Sequence, residues 1–261
     1  MYDLAFLEQA LSETVFAGQL HYAQVTGSTN SDAMAAGRQG APHGSVFFAD
    51  EQTAGRGRGD HAWDSAAGQG LYLSVVLRLR VQAAQLSLLP LAVGLAAADA
   101  IRTASGLTVD LRWPNDLLIG PRKAGGVLVE TQTDSGVPGF AVAGIGINVH
   151  QQRFPSGLAT PATSLDQESG RWIDRQPLLI ALLESLERET RALAGSAAAR
   201  DILARVARAS TWARGRRVEV HGSQACVGVT EGLDERGFLL VRTDAGLIQV
   251  QTGGIRAAET D

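Results

Sequence analysis

A glycine-rich loop that carries two arginines is the first chemical signal in the sequence. Residues 55–59 read Gly-Arg-Gly-Arg-Gly and follow a segment, ending near Glu51, that reads as a β-strand. Alternating glycines let backbone N–H groups point at one anion, and two guanidinium groups supply bidentate donors for phosphate or carboxylate. The spacing matches neither a Walker A loop nor the dinucleotide-binding GxGxxG fingerprint. The loop therefore predicts an anionic ligand, although a solvated loop explains such a pattern equally well.

Two further polar segments stand beside predicted strands. Residues 112–116 read Arg-Trp-Pro-Asn-Asp and close a short strand, and Lys123 stands just before Gly125 and Gly126, which open an apolar run. An amide and a carboxylate fixed beside a turn, with a lysine over bare backbone, suit an anionic ligand. Each pattern alone is also typical of an ordinary hairpin, so neither identifies a function by itself.

Two more patterns are explained by local structure, but their residues could also contact a ligand. Residues 144–148 read Gly-Ile-Gly-Ile-Asn inside an apolar run. Glycine within a strand often marks the close approach of a ligand or of another backbone, and packing of a helix is the alternative. Residues 28–30, Ser-Thr-Asn, read first as the N-cap of a helix over 31–37, and their hydroxyls and amide are free for a second use.

The elements that must hold these residues alternate between strand and helix. Runs rich in Val, Leu, Phe and Tyr, or in β-branched residues, predict strands at 45–51, 70–80, 126–133 and 140–149, the last two of them central. Helical spacing predicts helices at 85–105, 177–193 and 197–209.

The C-terminal part of the chain has a different pattern of predicted secondary structure. After Thr211, four short strand-like runs separated by Gly and Asp turns predict a small barrel or sandwich. Helix periodicity stops where strand periodicity begins, which places a domain boundary near 209–214.

Pro90 lies in or near the first turn of the predicted helix at 85–105, and Gly106 lies just past its end, the usual position of each residue.

Composition excludes several classes of protein. The 261 residues are 45% hydrophobic and 19% charged, which is typical of a globule, and the net charge of −4 disfavours a protein that binds nucleic acid over its whole surface. Cys226 is the single cysteine, so a reducing cytoplasm is expected and a paired-cysteine zinc site is excluded. The uncharged run 81–98 contains glutamine and proline, and a buried helix explains it better than a membrane span.

The order of the motifs is more informative than any one of them. From His21 to Val149 the chain presents, in turn, Ser28-Thr29-Asn30, Gln52, Gly55-Arg56-Gly57-Arg58, Trp63, Trp113-Pro114-Asn115-Asp116, Lys123, Gly125-Gly126 and Gly144-Ile145-Gly146-Ile147-Asn148. This set resembles the biotin protein ligases. The resemblance implies an α+β fold like that of class II aminoacyl-tRNA synthetases, with a mixed sheet flanked by helices. It also implies a ligase domain at 1–210 and a small SH3-like β-barrel at 211–261.

The resemblance also implies a reaction and its participants. Members of this family use ATP and Mg²⁺ to convert biotin to biotinyl-5′-AMP, and then pass biotin to one lysine of a biotin carboxyl carrier protein. A monomer or homodimer in the cytoplasm is expected, with no membrane partner. Too few residues precede the Ser28 motif for a DNA-binding domain, so no DNA partner is expected.

Site residues carry over by their match to the family motifs. The catalytic residues are expected to be Lys123, Arg58 and Asp116, with Asp116 also a candidate magnesium ligand or the base for the acceptor lysine. The expected biotin-binding residues are Ser28, Thr29, Asn30, Gln52, Gly55, Arg56, Gly57, Arg58, Lys123 and Gly126. The expected residues for ATP and the adenylate are Arg56, Arg58, Trp63, Asn115, Asp116, Lys123 and Asn148.

Two departures and two alternatives accompany the resemblance. Residues 59–62 read Gly-Asp-His-Ala where the family often has further basic residues, and Arg112 stands where lysine is common. A lipoate or octanoate ligase has the same fold, but lacks the Gly-Arg-Gly-Arg loop and the Trp-Pro-Asn-Asp turn. A biotin-binding module without catalysis needs neither Lys123 nor a second arginine.

Overall fold

The computed structural model describes residues 2–59, 61–134, 137–195 and 197–258. Their helices are α1 (Leu4–Ala10), α2 (Thr29–Arg38), α3 (Ala83–Leu86), α4 (Leu89–Ser105), α5 (Leu165–Ser169), α6 (Arg175–Leu193) and α7 (Ala198–Arg208). Their strands are β1 (Leu20–Thr26), β2 (Val46–Gln52), β3 (Gly70–Leu77), β4 (Asp110–Arg112), β5 (Asp116–Ile119), β6 (Arg122–Asp134), β7 (Val137–Asn148), β8 (Arg214–His221), β9 (Cys226–Leu233), β10 (Leu239–Thr243), β11 (Gly246–Val250) and β12 (Gly254–Ala257).

The first seven strands form one mixed sheet in the order β1-β2-β3-β7-β6-β5-β4. Strands β1 and β2 are parallel, and the other neighbours are antiparallel. The strands predicted at 126–133 and 140–149 are confirmed as central, since they correspond to β6 and β7. Strand β1, at the edge of the sheet, was not predicted from the sequence.

Helices cover both faces of this sheet, which explains why β3 is buried along its whole length. Leu73 and Val75 on β3 belong to the main core, which includes α4 and α6. Val76 and Val142 face the other way and pack with Ala33 of α2. Successive side chains of a strand point to opposite faces, so Ser74, Gly144 and Gly146 lie on the α2 face.

The helix predicted at 85–105 is wrong in one respect, because the chain forms two helices there. Helix α3 ends at Leu86, and α4 begins at Leu89 with Pro90 in its first turn. Proline has no backbone N–H and cannot continue the hydrogen bonds of a preceding helix, so a new helix starts at this point. Gly106 ends α4 with a φ of 78°, as its position predicted. Within the described ranges, no helix is long and apolar enough to cross a membrane.

The last five strands form an antiparallel sheet in the order β11-β10-β9-β8-β12. The sequence predicted four of them and missed β12, whose four residues are too few to show an alternating pattern. The turns of the two sheets are in contact. Trp113, between β4 and β5, donates its indole N–H to the carbonyl oxygen of Gly237, between β9 and β10, at 3.1 Å. The division of the chain into 1–210 and 211–261 stays a prediction.

Candidate active site

A cavity of about 1080 Å³ lies on the α2 face of the large sheet and extends to the C-terminal sheet. It is lined by the start of α2, the loop after β2, strands β6 and β7, the turn between β4 and β5, and parts of β8 and β12. Every predicted site residue lines this cavity: Ser28, Thr29, Asn30, Gln52, Gly55, Arg56, Gly57, Arg58, Trp63, Asn115, Asp116, Lys123, Gly126 and Asn148. The structure therefore gathers into one place residues that are separated by up to 120 positions.

The floor of the cavity is formed by β6 and β7, where three glycines leave the backbone bare. Gly126 of β6 is paired with Gly146 of β7, and Leu128 with Gly144. A Cβ at Gly146 would lie 2.6 Å from the Trp63 ring, and one at Gly144 would lie 2.5 Å from Asn30 Oδ1. Real Cβ atoms do not approach other atoms so closely, so glycine is required at 144 and 146 for Trp63 and Asn30 to rest on the sheet.

One end of the cavity, which we call the neutral end, consists of Ser28, Thr29, Asn30 and Gln52. Ser28 precedes the first turn of α2, which begins at Thr29 and not at the predicted residue 31, and within the described ranges its side chain makes no capping hydrogen bond. Ser28 Oγ and Asn30 Oδ1 are buried and have no hydrogen-bond partner among the described residues. A buried polar atom without a partner costs free energy, so these two atoms suit a ligand that brings a complementary group.

Gln52 is held rigidly at this end. Its Oε1 accepts from the backbone N–H of Thr29 at 2.9 Å and from the Thr29 hydroxyl at 3.1 Å, and its Nε2 donates to Ser65 Oγ at 2.7 Å. Thr29 Oγ1 is also 2.9 Å from Ser74 Oγ. Sequence reasoning missed Ser65 and Ser74, although Ser74 is the one polar residue within an apolar strand and could have been noticed.

The glycine-rich loop lies across the cavity and is fastened on both sides. Gly57 N donates to His61 O at 2.7 Å, and Trp63 N donates to Gly55 O at 2.9 Å, so the loop returns on itself. Arg56 forms a bidentate pair with Glu130, with Nη1 to Oε2 at 3.0 Å and Nη2 to Oε1 at 2.8 Å. Arg58 donates to the carbonyl oxygen of Gly253, which immediately precedes β12 of the C-terminal sheet. Asp60, one of the departures from the family pattern, lies outside the described residues.

The other end, which we call the charged end, consists of Arg112, Asp116 and Lys123. Asp116 Oδ2 accepts from Arg112 at 2.6 and 3.0 Å, and Asp116 Oδ1 lies 2.5 Å from Lys123 Nζ. Burial alone would raise the pKa of Asp116, but Lys123 and Arg112 outweigh it and hold that pKa below its usual range. A carboxylate with a lowered pKa is a weak base, which argues against Asp116 as the base for an acceptor lysine.

Asp116 also fits poorly as a magnesium ligand. Both of its oxygens already accept from cationic donors, and a divalent ion would add a third positive group to one carboxylate. Across the described ranges, no group of three acidic, histidine or cysteine side chains could hold a metal ion. The donor set therefore does not fit a magnesium ion held by protein side chains, whereas it does fit an anchor for two cations.

The remaining predicted residues support this end. Asn115 Nδ2 donates to Val127 O at 2.7 Å, which ties the turn after β4 to strand β6. Asn148 Nδ2 donates to Thr163 O at 3.0 Å. Lys123 Nζ lies 5.5 Å from the centroid of the Trp63 ring, so this indole forms the wall beside the lysine.

Sequence reasoning missed several other residues at the charged end. Arg112 also donates to Thr160 Oγ1 at 2.8 Å, and its guanidinium lies over the Trp212 ring at 5.2 Å. Arg216 covers the same ring at 4.0 Å. These contacts join residues that are far apart in the chain, so no local sequence pattern predicts them.

Comparison with known proteins gives a consistent family. Residues 22–148 match the biotin/lipoate A/B protein ligase family, and residues 215–255 match the biotin protein ligase C terminal domain. The chain is 33% identical to a biotin--[acetyl-CoA-carboxylase] ligase of Mycobacterium tuberculosis, over 91% of this chain and 88% of the relative. It is 34% identical to the biotin--[acetyl-CoA-carboxylase] ligase of Paracoccus denitrificans, over 85% of this chain and 93% of the relative.

A solved structure and longer relatives add to this comparison. The biotin protein ligase of Aquifex aeolicus, in complex with biotin and ATP, matches with a TM-score of 0.78 and 27% identity, over 91% of this chain and 97% of that chain. The bifunctional ligase/repressor BirA of Bacillus spizizenii is 38% identical over 69% of this chain, which spans 56% of the relative. The chain thus spans just over half the length of that curated relative. It belongs to the biotin protein ligase family, and the predicted family and fold class are confirmed.

Proposed function

We propose that this member of the family is an ATP-dependent biotin protein ligase. It joins biotin to AMP and then passes biotin to one lysine of a biotin carboxyl carrier protein. The observation that carries the proposal is the contrast within one cavity, which has uncharged hydrogen-bonding groups at one end and Arg112, Asp116 and Lys123 at the other. The named activity of the relatives at 33% and 34% identity supports the same reaction.

The neutral end matches the ring of biotin. A ureido ring has one carbonyl oxygen and two N–H groups and carries no charge. The Ser28 hydroxyl can donate to such a carbonyl, and Asn30 Oδ1 can accept from an N–H, which gives both unpartnered atoms a hydrogen bond. Buried paired groups of this kind reject analogues that lack the matching group.

This observation decides against the main alternative. A lipoyl or octanoyl group would place an alkyl chain or a dithiolane at the neutral end, and Ser28 Oγ and Asn30 Oδ1 would stay buried without partners. Each such group costs about 1–3 kcal/mol. A binding module without catalysis is also disfavoured, because ring recognition does not require the paired cations of the charged end.

The charged end suits the first step of the reaction. An oxygen of the biotin carboxylate attacks the α-phosphorus of ATP, and pyrophosphate leaves with the electrons of the broken P–O bond. Both reactants are anionic, so Lys123 lowers the repulsion between them, and Asp116 holds the ammonium group in place. ATP enters as its magnesium complex, in which phosphate oxygens serve as ligands of the metal.

The glycine-rich loop suits the second step. The neutral amine of the acceptor lysine attacks the carbonyl carbon of the mixed anhydride, the C–O bond to the phosphate breaks, AMP leaves with those electrons, and the amine releases one proton. The loop that carries Arg56 and Arg58 keeps water from the anhydride until that amine arrives.

The proposal places the reaction in the cytoplasm. It keeps the ligase domain at 1–210 and the C-terminal domain at 211–261, which the two family matches on either side of that boundary support.

Pyrophosphate exchange into ATP tests the proposal directly. The purified chain is incubated with labelled pyrophosphate, MgATP and, separately, biotin, lipoate or octanoate. We expect exchange with biotin alone, because the other acids leave the neutral end unpaired. Exchange with lipoate or octanoate and none with biotin would refute the proposed function.

A further inference from the structure

Glu130 connects two elements that close around the neutral end, yet it does not line the cavity. It lies on β6, four positions after Gly126. Asn30 Nδ2, in the first turn of α2, donates to Glu130 Oε2. Arg56 of the glycine-rich loop donates to both carboxylate oxygens at 3.0 and 2.8 Å. One side chain therefore contacts both the helix and the loop.

The carboxylate determines which way the Asn30 amide points. An ionised carboxylate can only accept hydrogen bonds, whereas an asparagine amide has a donor side and an acceptor side. The NH₂ group of Asn30 must therefore face Glu130, and its oxygen must face away. That oxygen is buried and has no hydrogen-bond partner in the part of the chain that the structure describes; Asn30 is 4% exposed, and its oxygen lies against Gly144 on the cavity floor.

We infer that Glu130 is a positioning residue, which fixes the Asn30 amide so that its oxygen accepts a ring N–H of biotin. The inference rests on the proposed function, since biotin supplies that N–H. Arg56 binds both oxygens of the same carboxylate, so the position of the loop and the orientation of the amide depend on one group. Glu130 thereby contributes to specificity for the ring without touching it.

The test compares biotin with two carbamate analogues, each with a different ring N–H replaced by oxygen. Dissociation constants are measured by titration calorimetry for the wild-type chain and for Glu130→Gln. In the wild type, we expect one analogue to bind at least about tenfold more weakly than biotin, which corresponds to about 1.4 kcal/mol. Its ring oxygen would face the Asn30 oxygen, and neither atom can donate.

In Glu130→Gln, the discrimination should disappear. Glutamine can either accept from the Asn30 NH₂ or donate to its oxygen, so the amide is free to turn. We expect biotin to bind about tenfold more weakly, whereas the disfavoured analogue loses little or binds more tightly. Gln132→Ala is the matched control, because Gln132 lies on the same face of β6 and makes a similar exposed contact with Arg38. It should bind all three ligands as the wild type does.

The outcomes separate this inference from the proposed function. Wild-type affinity for biotin in a folded Glu130→Gln variant, or equal weakening of all three ligands, would overturn the role of Glu130. Equal affinity of the wild type for biotin and both analogues would overturn it without any variant. If the wild type binds no biotin, the proposed function fails and this inference fails with it. Thermal melting of each variant verifies that it is folded.

Discussion

The two ends of the cavity achieve the same rigidity by different means. At the neutral end, the groups that line the cavity are uncharged: Gln52 is fixed by Thr29 and Ser65, and the Glu130 carboxylate that holds Asn30 lies outside the lining. At the charged end, Asp116 is fixed by two cations that it also neutralises in part. The comparison teaches that each end is organised for the charge of the part it receives. An uncharged ring requires fixed dipoles, whereas two anions that must react require fixed cations.

The largest effect on activity is expected for Lys123→Ala at the charged end. Loss of this ammonium removes a preorganised cation, and we expect pyrophosphate exchange to fall by about 10²–10³-fold. Biotin affinity should change far less, because the neutral end is untouched. Arg122→Ala is the control: Arg122 is adjacent in sequence, but its exposed side chain pairs with Glu168 and not with Asp116. If both variants lose exchange equally, the assignment of the reaction to the charged end is wrong.

A second test removes the shared anion of the charged end. Asp116→Asn leaves Arg112 and Lys123 close together without their carboxylate, and we expect the free energy of unfolding to fall by about 3 kcal/mol. Because the folded pKa of Asp116 is lowered from 3.8, its stabilisation is present above that pH and is lost as the pH falls. The difference between wild type and variant should therefore shrink below about pH 4 in urea titrations. A difference that is constant down to pH 2 would contradict this assignment.

Gly144→Ala sharpens the comparison at the neutral end. The added methyl group would lie 2.5 Å from Asn30 Oδ1, so the amide must move. We expect the KM for biotin to rise about tenfold, the equivalent of one hydrogen bond, with kcat much less affected. Gly139→Ala, on the same strand, meets only Gln132 O at 3.4 Å and should leave KM unchanged. An unchanged KM in the first variant would show that Asn30 does not bind the ring.

The smallest effect is expected where the loop meets the C-terminal sheet. Arg58→Gly removes the hydrogen bond to Gly253 O, and the adenylate should escape faster, by roughly fivefold for about 1 kcal/mol. Release can be followed by rapid filtration of the enzyme loaded with labelled biotinyl-5′-AMP. A wild-type release rate would show that Arg56 alone keeps the loop closed.

The sequence predicted the parts of the site that are local. Gly144 and Gly146 interrupt an apolar run, and the structure places them on the cavity floor. An N-cap within residues 28–30 was also predicted, because its signal is local, although the helix begins at Thr29, two residues before the predicted start. Short-range conformational preferences therefore account for the central strands, for the approximate position of α2 and for the glycines, but not for the edge strands β1 and β12.

The parts that were missed depend on contacts between distant residues. Glu130 joins Asn30 and Arg56, which lie 100 and 74 positions away, and nothing in its own neighbourhood marks it. The predicted cations Arg56 and Arg58 were expected to face an anionic ligand, whereas here Arg56 pairs with the protein's own Glu130 and Arg58 donates to Gly253 O. Which partner an arginine finds depends on strand register and loop path, and one sequence does not specify either.

The glycine floor has a consequence for how this protein can evolve. Gly144 and Gly146 already have the smallest side chain, so any substitution there adds volume to the cavity floor. Mutation at these positions can only narrow the range of substrates. A broader range requires changes in the walls, for example at Trp63, which has volume to lose. Selection for new ligands should therefore accumulate changes in the walls and leave the floor as it is.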